Sequence, residues 1–473
     1  MAEGQATAKR SAWSGKWAFI LAGAASAVGL GNMWRFPYLA AKFGGGTFLF
    51  TYFVLAFTFG ISLLLLETAL GRHTKLSAIG AFRHFGKRFA WIGILASLVP
   101  FIITPYYCII GGWVFKYFAA YMAGGASALS DGGTYFLGFL YGPTESYAWM
   151  LVFMALVFII VALGVKRGIE KANRVMMPLL LVMALGLAIY VCCQPGALEG
   201  LAYYLIPNFA GVDVGGLILN AMGQMFYSLS LAMGIMITYG SYLDSKESLS
   251  GSCLAIAGFD LVVSFIAGAL IVPAAYLAMG GAPTSAGPSL MFITLPEIFV
   301  TMGGAANVIG VVFFLLVLFA ALTSAISLTE TCVSILCDAF KWTRKRGMIA
   351  AFVVVVVVGI FVNLGYNGLG SLRLFGMEIL DFFDFVSNSV LMPIVALLTC
   401  IAVGWFIRER VTRRTASGEE ESVELRGTDV IAEEVRISAP FRAQKAWAVM
   451  VKFVAPVLVV VILVWNLIGV FGG

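Results

Sequence analysis

The chain has 473 residues, of which 61% are hydrophobic and only 11% charged, and its formal net charge is +6. Water-soluble globular domains are close to half apolar and a quarter charged, so this composition excludes a soluble fold and predicts an integral membrane protein. The excess of basic residues lies in segments between apolar runs, which indicates membrane topology and not a nucleic-acid partner.

Apolar runs long enough to cross a membrane as helices recur from end to end. They lack the segments of about ten residues with alternating apolar and polar side chains that are typical of outer-membrane barrels. These runs predict an all-α membrane protein with about eleven transmembrane helices, at residues 17–39, 47–71, 90–122, 149–165, 175–193, 215–243, 251–279, 305–340, 348–363, 375–407 and 447–470.

The basic residues predict the orientation of these spans. All except Arg35, Lys42, Lys116 and Arg373 lie in the N-terminal tail, in alternate loops from 72–89 to 408–446, or at Lys452. Because basic loops stay in the cytoplasm, the N-terminus is expected inside and the C-terminus outside. The tail is followed by a full-length span, so no cleavable signal peptide is expected.

The cysteines, the histidines and the charged linker give little indication of a catalytic, disulfide or metal site. The seven cysteines form no disulfide or metal-binding pattern and are expected to be small core residues. The two histidines, His73 and His84, lie in a cytoplasmic loop, and we expect no catalytic or metal-binding role for them. Residues 408–446 are rich in charge, which predicts a solvated linker that is partly disordered or peripherally helical.

Two apolar runs carry features that a simple anchor does not need. The first contains "ASAVGLGN" (Ala25–Asn32) and the sixth contains "GQMFYSLSLAMG" (Gly223–Gly234). Gly29 and Gly31 allow the backbone to leave helical geometry, and the freed amides and carbonyls then need partners. Two interrupted helices at corresponding places in two halves favour an inverted-repeat transporter with a midplane site. The alternative is that the small residues only permit tight helix packing.

Ionisable side chains also fall within or at the ends of spans, namely Arg35, Glu67, Asp260, Asp381 and Asp384. Such groups are costly inside a membrane, and they usually line a pathway or pair with one another. Each could form a buried structural pair, but five of them without a metal motif favour a solute path.

The stretch "AVGLGNMWRFPYLAAKFGGG", with "FYSLSLAMG" in the sixth span and "FAALTSAIS" (Phe319–Ser327) in the eighth, resembles the neurotransmitter:sodium symporter family. The likeness extends from about Arg10 through the tenth span and is to the bacterial amino-acid transporter branch. It implies a 5+5 inverted repeat with broken helices 1 and 6, in the bacterial cytoplasmic membrane. The implied parts are a tail (1–16), two repeats (17–193 and 215–407), a linker (408–446) and a last span (447–473).

The resemblance implies two sodium sites built from oxygen donors, which suit a hard cation. The first would use Ala27, Asn32, Ser228 and Asp260. The second would use Ala25, Val28, Ala320, Thr323 and Ser324.

Asp260 departs from the asparagine that many members have at this position. Its carboxylate would supply the negative charge that chloride provides in animal members, so we expect that chloride is not required. The residues that match the chloride-binding positions of the family, here called the chloride-type neighbours, are nevertheless present at Tyr52, Gln224, Ser228 and Ser264.

The implied substrate pocket lies between the half-helices. Amides near Leu30 and Gly31, with the Tyr107 hydroxyl, would hold a carboxylate. Gly29 stands where monoamine carriers have an aspartate, which favours an amino acid that brings its own carboxylate. The expected lining is Ala27, Gly29, Leu30, Gly31, Ile103, Tyr107, Tyr227, Ser228, Ser230, Met233, Ser324 and Leu328. Its apolar wall favours a hydrophobic amino acid, and a large or aromatic one is a candidate.

The resemblance also implies two gates. Outside, Arg35 and Asp384 would pair above the substrate, with Tyr227 as a lid. Inside, Arg10 and Asp338 would pair, with Trp13 and Tyr242 covering the path. Pairs that form in one state and part in the other bias a conformational equilibrium.

The sequence leaves rival functions open. Another small zwitterion or an amine could be the substrate, and a channel would need a continuous hydrophilic pore that the clustered polar residues do not suggest. An enzyme is not expected, because no nucleophile–base pair or metal motif is evident. The oligomeric state is not indicated.

Overall fold

The computed structural model describes residues 12–142, 144–279, 281, 287–414 and 420–471. Nine helices within these ranges are long and apolar enough to cross a membrane. They are Gly46–Thr74, Lys87–Met122, Glu145–Ala162, Val165–Cys192, Leu249–Leu277, Gly303–Phe340, Arg344–Tyr366, Ile379–Phe406 and Gln444–Ile468. Shorter helices lie in the connections between spans, at Ala78–His84, Gly132–Leu140, Ala197–Leu205 and Leu290–Thr301.

The first and sixth spans are each divided into two helices. Lys16–Ala27 and Gly31–Lys42 form a pair bent by 53°. The sixth span consists of Val214–Ser228 and Ile235–Ser241, separated by residues 229–234. If each of these two pairs is counted as one span, the nine long helices and the two pairs of the described ranges together make eleven.

The break in the sixth span is held in an uncommon backbone conformation. Ser230 and Ala232 have φ values of 53° and 59°, which non-glycine residues seldom adopt, and Gly234 follows with φ 71°. The Ala232 N–H donates to Glu67 Oε1 over 2.7 Å. A buried carboxylate of the second span therefore replaces a hydrogen-bond partner that the unwound backbone has lost.

The second span packs directly against the inner half of the sixth. A Cβ on Gly71 would lie 1.9 Å from the Ile237 carbonyl oxygen, and one on Gly240 would lie 2.2 Å from that of Thr68. Only glycine permits such backbone contact, which fixes the second half of the broken span in place.

The described residues of the segment after the tenth span include a helix, which the prediction of a partly helical linker allowed, and a β-hairpin, which it did not foresee. Strand β1 (Arg408–Arg414) pairs antiparallel with β2 (Glu420–Arg426), and the helix Gly427–Arg436 follows. This linker helix buries Val430, Ile431 and Val435. The apolar residues of this helix are interspersed with many charged residues in the sequence. The helix is stabilised by packing its apolar face against the second span.

A buried ion pair joins the linker helix to the second span. Arg72 is 1% exposed, and its Nε donates to Glu434 Oε1 over 2.6 Å, while its Nη1 donates to the Glu247 carbonyl over 2.7 Å. Burial acts to raise the pKa of Glu434, but the hydrogen bond with His73 and the charge of Arg72 outweigh burial, so this pKa is below its ordinary value.

Candidate functional site

An internal cavity lies where the two broken spans face each other. All the predicted substrate residues except Leu30 and Ser228 line it, and Ser26, Asn32 and Ile235 do so as well. The full lining is Ser26, Ala27, Gly29, Gly31, Asn32, Ile103, Tyr107, Tyr227, Ser230, Met233, Ile235, Ser324 and Leu328. The structure thus brings together residues from the first, third, sixth and eighth spans.

One side of the cavity is polar and closely packed around the first break. The Leu30 N–H donates to the Tyr107 hydroxyl over 3.3 Å. A Cβ on Gly29 would lie 2.6 Å from Ser324 Oγ and 2.9 Å from the Tyr107 hydroxyl, and one on Gly31 would lie 2.6 Å from the Tyr227 ring. Glycine is required at both positions because side chains of other spans approach the backbone there.

The opposite wall is apolar. Ile103, Met233, Ile235 and Leu328 are all buried, and each lines the cavity. An unbranched methionine adapts its shape to different apolar groups. This arrangement suits a ligand with a polar end at the first break and an apolar side chain.

The first predicted sodium site is a buried cluster around Asp260. The Tyr52 hydroxyl donates to Asp260 Oδ2 over 2.8 Å, and Asn32 Nδ2 donates to Asp260 Oδ1 over 2.7 Å. Ser228 also hydrogen-bonds to Oδ1. Asp260 is fully buried, and no basic side chain of the described ranges forms an ion pair with it.

This cluster has more acceptors than donors. Asn32 Nδ2 faces the Ser264 and Ser228 hydroxyl oxygens at 2.8 and 3.0 Å, in addition to Asp260. An amide nitrogen has only two hydrogens for these three neighbours. Asn32 Oδ1 accepts from the Gly29 N–H over 2.9 Å, which ties the cluster to the cavity. A buried carboxylate whose side-chain partners are all uncharged is costly, and a bound cation would offset that cost.

Two of the chloride-type neighbours contact the same carboxylate. Tyr52 and Ser228 contact Asp260, and Ser264 contacts Asn32. Gln224 Nε2 donates to the Gly31 carbonyl over 3.1 Å. The Asp260 carboxyl group therefore already accepts the hydrogen bonds of Tyr52 and Ser228.

The second predicted sodium site joins the eighth span to the first break. Thr323 Oγ1 lies 3.5 Å from the Val28 carbonyl oxygen and 3.0 Å from that of Ala320. Ser324 Oγ lies 3.3 Å from the Val28 oxygen. Ala25 is buried near the end of the helix Lys16–Ala27, and within the described residues its carbonyl accepts no hydrogen bond from these hydroxyls. The structure thus gathers four of the five predicted oxygen donors.

The outer gate residues are near each other but not paired. Within the described ranges, no nitrogen of Arg35 lies within 4.0 Å of an Asp384 oxygen. Asp384 accepts from the Tyr106 hydroxyl over 3.1 Å and from Asn388 Nδ2 over 2.6 Å. The predicted Arg35–Asp384 pair therefore stays a prediction for another conformational state.

The two aromatic residues predicted to cover the cytoplasmic path, Trp13 and Tyr242, contact each other. Trp13 is 7% exposed, its N–H donates to the Tyr242 carbonyl over 3.2 Å, and its indole Nε1 donates to the Tyr239 carbonyl over 3.0 Å. Arg10, the predicted partner of Asp338, lies outside the described residues. Asp338 Oδ2 accepts from the Ser77 N–H over 2.7 Å.

Sequence reasoning missed an ion pair beside this inner gate. Glu330 is fully buried, accepts from the Tyr242 hydroxyl over 2.9 Å, and pairs with Arg344 over 2.5 Å. Its signal was available, because Glu330 is an acidic residue within an apolar span. The sequence did indicate Glu67 as an ionisable residue within a span, but it could not predict the contact of Glu67 with the break in the sixth span.

Comparisons with known proteins decide the class of this site. The model of the sodium:neurotransmitter symporter family matches residues 10–126 and 144–471. The chain belongs to this family. As a member of the sodium:neurotransmitter symporter family, it is a multi-pass membrane transporter, and the class predicted from its motifs is confirmed.

Relatives of this symporter occur in bacteria and animals. An uncharacterized sodium-dependent transporter of Bacillus subtilis, YhdH, is 33% identical over 463 residues, which cover 97% of this chain and 98% of that protein. The human sodium- and chloride-dependent GABA transporter 2 is 28% identical over 456 residues, which cover 85% of this chain and 74% of that protein.

A solved structure confirms the architecture of this symporter. The crystal structure of MhsT in complex with L-phenylalanine matches with a TM-score of 0.83 and 34% identity, covering 96% of this chain and 99% of that one. The all-α fold, with its broken first and sixth helices, is therefore that of a solved transporter. The family and the names of its members imply sodium dependence.

Proposed function

We propose that this protein is a sodium-coupled symporter of hydrophobic L-amino acids, including large or aromatic ones, that works by alternating access. The observation that carries the proposal is the buried Asp260 cluster, in which uncharged side chains surround a carboxyl group beside an amphipathic cavity. The two inverted repeats would be residues 17–193 and 215–407, in a bacterial cytoplasmic membrane with the N-terminus inside.

The first sodium ion would be bound by Asp260, Asn32, Ser228 and the Ala27 carbonyl. The amide of Asn32 now presents nitrogen to three oxygens, and rotation of that amide would present its oxygen to a cation instead. Asn32 also accepts from the Gly29 N–H in the break, where the neighbouring Leu30 N–H donates to the cavity residue Tyr107. Because the ion and the substrate carboxylate would order one segment, each favours the binding of the other.

The second sodium ion would lie between the eighth span and the first break. Thr323 and Ser324 would contribute hydroxyls, and Ala25, Val28 and Ala320 would contribute carbonyls. Neutral oxygen donors suit a weakly held hard cation. An ion at this position would hold the first half-helix against the eighth span.

The cavity supports an amino acid as the substrate. A carboxylate at Leu30, Gly31 and Tyr107 would place its side chain toward Ile103 and Met233. The solved relative MhsT holds L-phenylalanine, which supports a hydrophobic substrate. The glycine at position 29 leaves no carboxylate for a cationic amine, which disfavours that alternative.

We also propose that transport does not require chloride. Two of the chloride-type donors, Tyr52 and Ser228, already bond to the Asp260 carboxylate, and an anion there would be repelled by that carboxylate. The human relative is named as chloride-dependent, so this property would separate the two proteins.

A competition experiment tests the substrate class. Detergent-purified protein is equilibrated in sodium with labelled L-phenylalanine, and unlabelled leucine, phenylalanine, tryptophan, GABA, betaine and dopamine compete. We expect displacement by the hydrophobic amino acids only. Absence of sodium-dependent binding of labelled L-phenylalanine, or displacement by dopamine, betaine or GABA as strong as that by leucine and tryptophan, would contradict the proposal. Replacing chloride with gluconate is expected to leave binding unchanged.

A further inference from the structure

Both histidines of the chain meet one carboxylate on the cytoplasmic side of the fold. His73, at the end of the second span, places Nε2 2.9 Å from Glu409 Oε2. His84, at the end of the helix Ala78–His84, places Nε2 3.2 Å from Glu409 Oε1. Glu409 belongs to strand β1, so three separate segments converge at this point.

The His73 ring is oriented by further contacts. Its Nδ1 lies 3.3 Å from Glu434 Oε2, and the other oxygen of Glu434 accepts from Arg72. The ring also stacks on Phe85, with centroids 5.9 Å apart. A carboxylate on Nδ1 directs Nε2 toward a ligand, which is the arrangement that metal-bound histidines commonly show.

The spacing of these groups suits a small tetrahedral cation. The candidate ligand atoms all lie within 4.8 Å of one another. In a tetrahedral zinc site with bonds of about 2.0–2.1 Å, neighbouring ligand atoms are about 3.3 Å apart. The two N···O distances of 2.9 and 3.2 Å are therefore close to those of a formed site.

The groups are also accessible to ions from solution. The side chains of His73, Glu409 and His84 are 22%, 23% and 40% exposed. Two imidazoles and one carboxylate form a set that zinc uses in proteins, with a fourth position left for water. We propose that His73, His84 and Glu409 bind one divalent transition-metal ion of the Zn²⁺ class.

Metal binding at this point would restrain the cytoplasmic side. The ion would tie β1 to the end of the second span and to the helix Ala78–His84. These segments also contact the inner gate, because Ser77 bonds to Asp338, and Lys75 Nζ donates to the Leu243 carbonyl over 2.5 Å. Bound metal should therefore slow opening toward the cytoplasm. The site replaces our expectation that the two histidines have no metal role.

Zinc binding to the purified full-length protein tests the proposal without reference to transport. The tag-free protein is stripped with a chelator and dialysed against Zn²⁺ alone. We expect one ion per chain, at least tenfold weaker binding in His84→Gln, and loss of the site in the double variant His73→Asn/His84→Gln. Glu424→Gln, on the same hairpin but away from the histidines, is the matched control and should bind as the wild type.

A second measurement separates loss of the site from loss of the fold. Zn²⁺ should raise the apparent melting temperature of the wild type and of Glu424→Gln, but not that of His84→Gln, whose metal-free melting temperature should be unchanged. Equal zinc binding by the wild type and the double variant, or binding that disappears only when thiols are blocked, would overturn the proposal.

Discussion

Asp260 is a fully buried carboxylate whose partners in the described structure are all uncharged. We predict that Asp260→Asn raises the sodium concentration for half-maximal uptake at least tenfold, because the cation loses its fixed countercharge. Chloride should then stimulate uptake, because the surrounding hydrogen-bond donors would be free to bind an anion. Sodium titrations in chloride and in gluconate measure both effects.

A matched control removes the same charge from an exposed position. Asp381 is exposed near the start of the tenth span, and Asp381→Asn should keep the wild-type sodium dependence. If Asp260→Asn also retains wild-type sodium affinity and ignores chloride, the assignment of the first ion site fails.

Gly29 leaves room for the contact between the first break and the eighth span. A methyl group there would meet Ser324 Oγ at 2.6 Å and the Tyr107 hydroxyl at 2.9 Å. We predict that Gly29→Ala weakens substrate binding at least tenfold, as measured by equilibrium binding of a labelled amino acid. Gly186→Ala should bind normally, since nothing lies within 4 Å of the added carbon. Equal affinities for the two variants would contradict this account.

At the scale of elements, the linker helix is held by a buried charge. Removing one partner of a buried ion pair typically costs about 3–5 kcal/mol, because the other charge stays uncompensated. We predict that Glu434→Ala markedly lowers the apparent melting temperature, since it isolates Arg72. Glu424→Ala, which removes an exposed pair with Arg408, should change it little. Similar melting temperatures for both variants would show that the linker helix is not anchored in this way.

The broken spans were predictable, whereas the linker was not. Gly29, Gly31 and the serines of the sixth span predict the breaks from the local sequence alone, because a continuous membrane helix does not require such residues. Glu67, in contrast, acts on Ala232 across 165 positions of sequence. The hairpin was missed because its strands are highly charged, and its helix gains stability only by packing against the second span.

The same limit applies to the candidate sites. The cavity residues sit in recognisable motifs, so their convergence could be predicted from the family resemblance. His84 and Glu409 are 325 positions apart, and no local pattern connects them. The described residues hold no Arg35–Asp384 ion pair, and a sequence alone does not specify in which conformational state such a pair would form.

For the whole molecule, the orientation of the chain makes a separate prediction. Cys193 is exposed and lies on the side assigned to the exterior. A membrane-impermeant thiol reagent should therefore label intact cells expressing the wild type, and Cys193→Ala should lose most of this labelling. Labelling of Cys193 only in inside-out vesicles would reverse the assigned topology.

Coupling of two sodium ions to a neutral amino acid would move two charges inward per cycle. At about 2.3 kcal/mol per charge per 100 mV, the membrane potential alone would support roughly a thousandfold accumulation. The sodium gradient adds to this driving force, and closure of one gate while the other opens prevents leakage.

Uptake by proteoliposomes containing the purified protein tests sodium coupling most directly. With labelled L-phenylalanine or L-leucine outside, an inward sodium gradient should drive accumulation above equilibrium, and an inside-negative potential should increase it. Equal uptake when potassium is the only cation would contradict sodium coupling through the break between Ala27 and Gly31.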